Sequence, residues 1–281
     1  MILIAESGST KTNWLTEKKD LFQTIGFNPL FHTSASIYEE LMKHEELLEV
    51  REQFTQVFFY GASCSSEDRK KTVRDALAKY FIKAEVVHVD HDLKAAAVAT
   101  YDGRKGIACI LGTGSNSCLY DGKEMIEEVP ALGYVLGDEG SGAYFGKKLL
   151  SLFLYHQLPQ ATTKMLKEEY HLEKEKIFDA VYKKPFPNVY LASFAKAMED
   201  SPDTEFMHQL AVEGFTEFFK YHVCCYKSYK LYPVHFVGSI AFFMKNALQQ
   251  VADKFGCELG VVDREPVYRL LEWHLKEESN V

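Results

Sequence analysis

Ile107-Ala108-Cys109-Ile110-Leu111-Gly112-Thr113-Gly114-Ser115-Asn116-Ser117-Cys118-Leu119-Tyr120 reads as a buried strand, a turn of small and hydroxyl residues, and a returning strand. The chain opens in the same way. Ile2-Leu3-Ile4-Ala5 runs into Glu6-Ser7-Gly8-Ser9-Thr10-Lys11, and Thr12 to Thr16 returns. An offset of 106 residues lays Gly8 on Gly114, Ser9 on Ser115 and Trp14 on Tyr120. Leu21 to Ile25 adds a third strand to the first copy, so residues 2–25 and 107–129 are expected to form equivalent meanders in two separate sheets. Tyr101-Asp102-Gly103-Arg104-Lys105-Gly106, polar and short, is the boundary between the halves.

Outward from these meanders, strands alternate with helices, the pattern of a mixed sheet covered on both faces. A helix is predicted from Ser36, with Ser36-Ile37-Tyr38-Glu39 as a capping box, and another over Ser66 to Phe81. Strands are predicted at Val57 to Tyr60 and Val86 to Val89, followed by an Ala-rich helix over Leu93 to Thr100. Gly140 to Tyr229 is helix-rich. A last unit follows, with a strand at His235 to Val237, the turn Gly238-Ser239 and one helix over Ile240 to Lys254. A short strand at Leu259 to Val262 and a helix from Pro266 to Lys276 close the chain. The expected domains are 1–105, 106–265 with a helical insertion, and a terminal segment 266–281 whose candidate packing partner is the first domain.

The chain has 281 residues, 47% of them hydrophobic, with twenty Phe and sixteen Tyr, enough for a substantial core. A net charge of −8 argues against nucleic acid or anionic membrane as partners, since both require a surplus of Lys and Arg. No stretch approaches the roughly 18 apolar residues of a membrane span, and Glu6 interrupts the first apolar run as no signal peptide would. The six cysteines form no Cys-x-x-Cys pair and read as reduced thiols of a cytoplasmic protein.

Small residues in the two turns let backbone N–H groups approach a phosphate, and Lys11 adds positive charge. Glu6 has the chemistry to hold a hydrated Mg²⁺. Each turn taken alone is equally a plain hairpin connection; their matching placement in two halves favours the phosphate reading. The common single-loop nucleotide motifs are absent. In His88-Val89-Asp90-His91-Asp92, a two-metal site lacks distant partners. Asp92 is either a helix N-cap or a base facing a hydroxyl substrate, and Asp90 is expected to tolerate replacement by Asn. Leu136-Gly137-Asp138-Glu139-Gly140-Ser141-Gly142 sets two carboxylates among more glycines than a helix cap needs.

Ser7-Gly8-Ser9-Thr10-Lys11-Thr12, Leu111-Gly112-Thr113-Gly114-Ser115-Asn116 and Leu136-Gly137-Asp138-Glu139-Gly140-Ser141-Gly142, in this order, resemble the acetate-kinase/sugar-kinase/Hsp70/actin superfamily. More narrowly, they look like its branch of N-acetylglucosamine kinases and BadF/BadG-type ATPases. The resemblance implies an α/β fold of two duplicated ribonuclease-H-like domains, the actin-like ATPase fold, with an interdomain ATP cleft. It implies ATP and Mg²⁺, an amino-sugar substrate and a homodimer. Carried over, Ser9, Thr10 and Lys11 fall in the first phosphate loop and Gly112, Thr113, Gly114 and Ser115 in the second. Gly238 and Ser239 border the adenosine, and Asp92 matches the general base. Asn28, Asn116, Gly133 and Asp138 match groups around the sugar. Glu6 stands where the family has Asp, which displaces the metal position by a methylene. The alternatives on the same fold are the ATPase activator of a dehydratase and a non-catalytic sugar sensor.

Overall fold

In the computed structural model, which describes residues 1–279, the two halves repeat one sheet topology. Strands β1 (Ile2–Ser7), β2 (Lys11–Thr16) and β3 (Leu21–Ile25) form an antiparallel meander. Helices α1 (Ser34–Met42) and α2 (Glu45–Val50) precede β4 (Gln56–Gly61), and α3 (Glu67–Tyr80) precedes β5 (Val86–His91). The sheet order is β3-β2-β1-β4-β5, with β4 parallel to both β1 and β5. Helix α4 (Asp92–Thr100) then leads to the second half.

There, β6 (Gly106–Leu111), β7 (Ser115–Tyr120) and β8 (Met125–Ile126) form the second meander. Seven helices follow before the sheet resumes: α5 (Gly133–Leu136), α6 (Gly142–Leu154), α7 (Gln160–Glu168), α8 (Lys174–Tyr182), α9 (Pro187–Ser193), α10 (Ala195–Asp200) and α11 (Thr204–Phe218). Strand β9 (Val234–Val237), helices α12 (Ser239–Phe243) and α13 (Lys245–Phe255), strand β10 (Leu259–Asp263) and helix α14 (Val267–Ser279) complete the chain. The second order, β10-β9-β6-β7-β8, has the same pairing senses as the first. The two meanders therefore lie in separate, equivalent sheets. By strand bounds the offset is 104, since Ile2 corresponds to Gly106 and Lys11 to Ser115. Gly8 thus answers to Gly112, not to Gly114 as the residue types suggested.

The chain divides into Met1–Tyr101 together with the segment from Glu265 onward, and Asp102–Arg264. Helix α14 packs on α4, β1 and β2 of the first unit. Its Val267, Leu270 and Leu271 are buried, and His274 Nε2 lies 3.0 Å from the Tyr60 hydroxyl. Residues 280 and 281 of the expected terminal segment lie outside the described residues.

The first core is organised by fully buried Trp14, whose ring meets Phe27, Phe59 and Phe81 while its Nε1–H donates to Thr24 Oγ1 at 2.9 Å. That bond satisfies the indole's one polar atom, which is what lets so large a ring sit inside. Strand β1 is central, with both faces covered, and accordingly opens on the unbroken apolar run Ile2 to Ala5. Two helix boundaries differ from expectation. Thr33, not Ser36, caps α1, and Ser36 occupies the third helical position of that capping box. The helix expected over 240–254 is two helices, broken at Met244. Among the described residues no helix is long and apolar enough to cross a membrane.

Candidate functional site

In the first unit, the turn after β1 is held from several sides. Gly8 N–H donates to Lys11 O at 3.0 Å, and the buried Ser7 and Thr12 hydroxyls lie 2.7 Å apart. Phe27 N–H donates to Ser7 Oγ and Gly26 N–H to Thr10 O. A Cβ on Gly26 would overlap the Gly8 carbonyl and lie 2.7 Å from the Ser9 carbonyl carbon. The turn bearing Ser9 and Thr10 therefore rests directly on backbone at Gly26. Two residues further, the buried Asn28 accepts the Leu30 N–H on its Oδ1. Residue type alone gave no sign that Gly26 was needed for space.

Glu6 is the penultimate residue of β1, and burial pushes its carboxyl up to about 7, with Asp92 adding to the rise, Lys11 opposing it and Glu265 adding a little more. Lys11 Nζ is paired with Glu265 Oε1 at 3.0 Å. Glu265 had no sequence signal, being 254 residues away. Asp92 is the first residue of α4, whose N-cap is His91, so it is not the N-cap that its sequence position suggested. Its Oδ1 lies 3.1 Å from His91 Nε2. Glu6, Lys11 and Asp92 thus form one electrostatic group where β1 ends, β2 begins and α4 leaves β5.

Asp90 belongs to a different set. Burial opposes its ionisation, yet His88 beside it, Lys70 at 2.8 Å and the His91 N–H at 2.8 Å hold its pKa well below the usual carboxylate range. These bonds give a reason to expect a cost where the residue type alone suggested that Asp90 tolerates Asn. Asp90→Asn loses a charged acceptor and is expected to destabilise the protein by about 1–2 kcal/mol. Urea unfolding of this variant checks it, and an unchanged midpoint would show the pair to be dispensable.

In the second unit, Gly112 N–H donates to Gly114 O at 3.0 Å, while Gly112 O and Thr113 O accept from Gly142 and Ala143 at the start of α6. Asp138 Oδ1 accepts Ser115 N–H at 3.2 Å, and a Cβ on Gly114 would lie 3.1 Å from the Asp138 carboxylate. Asp138 is buried, and desolvation pushes its carboxyl up to about 6 against the Ser115 bond. Its backbone is left-handed, at φ 58. Ser141, not Asp138, caps α6, through Tyr144 N–H. Gly238, at φ 121, sits where a Cβ would overlap the Leu111 carbonyl, so the turn before Ser239 is pressed onto the end of β6. Asn116 is buried and accepts Ser117 N–H at 2.8 Å. Gly133, at φ 74, opens α5 and accepts Gly137 N–H, one residue before Asp138. These contacts bring Gly112, Thr113, Gly114, Ser115, Asp138 and Gly238 together. Sequence reading did not find Glu139 bonded to His222, or Ser117 bonded to Tyr226.

Neither a protein-family model nor a curated protein matches the sequence. Among solved structures, the chain is similar to the putative N-acetylglucosamine kinase of Porphyromonas gingivalis, at 37% identity and TM-score 0.90, over 99% of this chain and 100% of that one. A putative N-acetylglucosamine kinase from Chromobacterium violaceum shares the fold at 14% identity and TM-score 0.65, over 97% and 98% of the two chains. So does a ROK family glucokinase from Streptomyces griseus, solved with glucose and AMPPNP, at 12% identity and TM-score 0.51, over 96% and 97%. With a duplicated sheet topology and a full-length relative at that identity, the chain belongs to the family of the P. gingivalis protein and shares its fold with the other two kinases.

Proposed function

We propose that the protein transfers the γ-phosphoryl of ATP to an amino sugar, N-acetylglucosamine, at its 6-hydroxyl. The observation that carries this reading is the placement of Asp92 beside Glu6 and Lys11 at the strand ends of the first unit. Likeness to a protein bearing the name of an N-acetylglucosamine kinase supports the substrate class.

Asp92 is the base, taking the proton from the sugar hydroxyl as its oxygen attacks. Asp138 accepts from sugar hydroxyls, with Asn28, Asn116 and Gly133 as further sugar ligands. Ser9, Thr10 and Lys11 serve the phosphates, as do Gly112, Thr113, Gly114 and Ser115, while Gly238 and Ser239 border the adenosine. Lys11 exchanges its Glu265 partner for phosphate oxygen. The donor set fits Mg²⁺: Glu6 is an oxygen ligand whose ionisation is opposed by burial and by a neighbouring carboxylate, a situation that a divalent cation relieves. Bound there, Mg²⁺ would neutralise charge on the β- and γ-phosphates.

A coupled assay of ADP release with Mg-ATP across N-acetylglucosamine, glucosamine and N-acetylmuramic acid tests the reading. Sugar-dependent release, strongest with N-acetylglucosamine, is expected, and none with any of the three would reject it. The pH dependence of sugar binding follows from Asp138, whose carboxyl is pushed up to about 6. The ionised form accepts the hydroxyl donors, so affinity is full above that value and is lost as pH falls through it. Calorimetry is expected to find binding about tenfold weaker at pH 5 than at pH 7.5. A flat profile over that range would remove Asp138 from the sugar site.

A further inference from the structure

Helix α11 does not end as an α-helix. It runs into a π-helical turn, Phe219–Val223, which carries His222. Such wider turns persist where a side chain has to be placed. His222 is 4% exposed, and its ring stacks on Phe218 with centroids 4.9 Å apart. Its main-chain oxygen accepts Ser117 Oγ–H at 2.6 Å, and Ser117 Oγ also lies 3.0 Å from the Tyr226 hydroxyl. Its Nε2 lies 3.4 Å from Glu139 Oε2. One residue is thereby bonded to Ser117, which follows Asn116, and to Glu139, which follows Asp138.

We infer that Glu139 and His222 are positioning residues that hold Asp138 in its ligand-facing conformation; the inference rests on the proposed sugar site. Asp138 adopts a left-handed backbone conformation at φ 58, which a non-glycine residue keeps only where its surroundings impose it. Those surroundings are the end of α11. On the far side of Glu139, Gly140, at φ 68, is packed so that a Cβ would lie 3.1 Å from Phe215 and 3.2 Å from Phe218. The Glu139 carboxylate, bound to His222, fixes the residue between. Burial lowers the His222 pKa despite Glu139, so the ring is neutral and its Nε2–H donates to Glu139. Nδ1 is then the unprotonated nitrogen, and it has no hydrogen-bond partner among the described residues. A buried histidine left half-satisfied beside a partly exposed carboxylate is a poor source of stability, which assigns this pair to placement.

The test uses the full chain and the variants Glu139→Leu, Glu139→Gln and His222→Phe. Hydrogen exchange of peptides covering 137–142, calorimetric affinity for N-acetylglucosamine and for ATP, and thermal midpoint are measured for each. Glu139→Leu and His222→Phe are expected to speed exchange in 137–142 and to weaken sugar binding by about 10- to 100-fold, with ATP affinity within about 3-fold. The double variant should be no weaker than either single one. Glu139→Gln still accepts from Nε2–H and should restore slow exchange and sugar affinity to within about 3-fold of the unsubstituted protein. If Glu139→Leu speeds exchange but binds sugar normally, the pair is merely structural and the inference fails. If Glu139→Gln is as weak as Glu139→Leu, the charge itself acts on the ligand and the inference again fails. If the unsubstituted protein binds no sugar, the functional reading fails, and the exchange data alone still decide whether the pair holds Asp138.

Discussion

Asp92→Asn is expected to lower kcat for sugar phosphorylation by ~10²–10⁴-fold, the range of positioned acid–base catalysis, while the fold survives. The amide cannot take a proton, yet it still hydrogen-bonds a hydroxyl, so sugar affinity should change little. Stability should hold for a reason that lies in the structure. Asp92 is the first helical residue and not the cap, so Asn at this position sacrifices no capping bond. It gives up a favourable charge at the helix N-terminus, worth about 0.3–1 kcal/mol. It also relieves repulsion with Glu6, which offsets part of that loss. The thermal midpoint is therefore expected to move by less than about 3 °C. Asp90→Asn is the contrasting variant, losing stability while keeping its chemistry. Measuring kcat and midpoint for both separates base from scaffold. An Asp92→Asn enzyme with undiminished kcat would remove the proposed base.

Gly26→Ala is expected to cost about 3 kcal/mol of stability and about 10²-fold in kcat/KM for ATP. Gly26 is a glycine for space. The atoms that an added methyl would strike are the Gly8 carbonyl and the Ser9 carbonyl group, all backbone of the first turn. No side chain can swing away to make room, so either the turn or the Gly26 strand end must shift. A shift near an ångström would misplace Ser9, Thr10 and Lys11 together and drag on Asn28 two residues on. Steady-state kinetics with varied ATP and a urea titration check both effects. A Gly26→Ala protein with unaltered ATP kinetics would show that the first turn does not need its seat on Gly26.

Much of the fold was legible because its determinants are local. Ile2 to Ala5 and Ile107 to Leu111 are unbroken apolar runs that end in small-residue turns, and such runs become central strands wherever the sheet is covered on both faces. The duplication was legible too, but its register was not. Four residues separate the paired Ser7 and Thr12 and three separate Leu111 and Ser115, so the two turns differ in length and matching their small residues by type does not align the strands. The helix expected over 240–254 failed for a similar reason, since nothing in the apolar pattern marks the break at Met244.

The sequence by itself determined the repeated strand-turn-strand openings and the Gly-rich segments around Asp138, since alternation, turn chemistry and glycine content act over a few residues. It also singled out Glu6, Lys11 and Asp92 one by one. Only the tertiary structure decided that Lys11 pairs with Glu265, that Gly26 seats the first turn, and that Asp138 meets Ser115 while His222 holds Glu139. Contacts between distant segments leave no periodic trace in either segment. The raised carboxyls of Glu6 and Asp138 depend on the same cause, because desolvation is set by every atom that folding packs around a group and not by its neighbours in the chain.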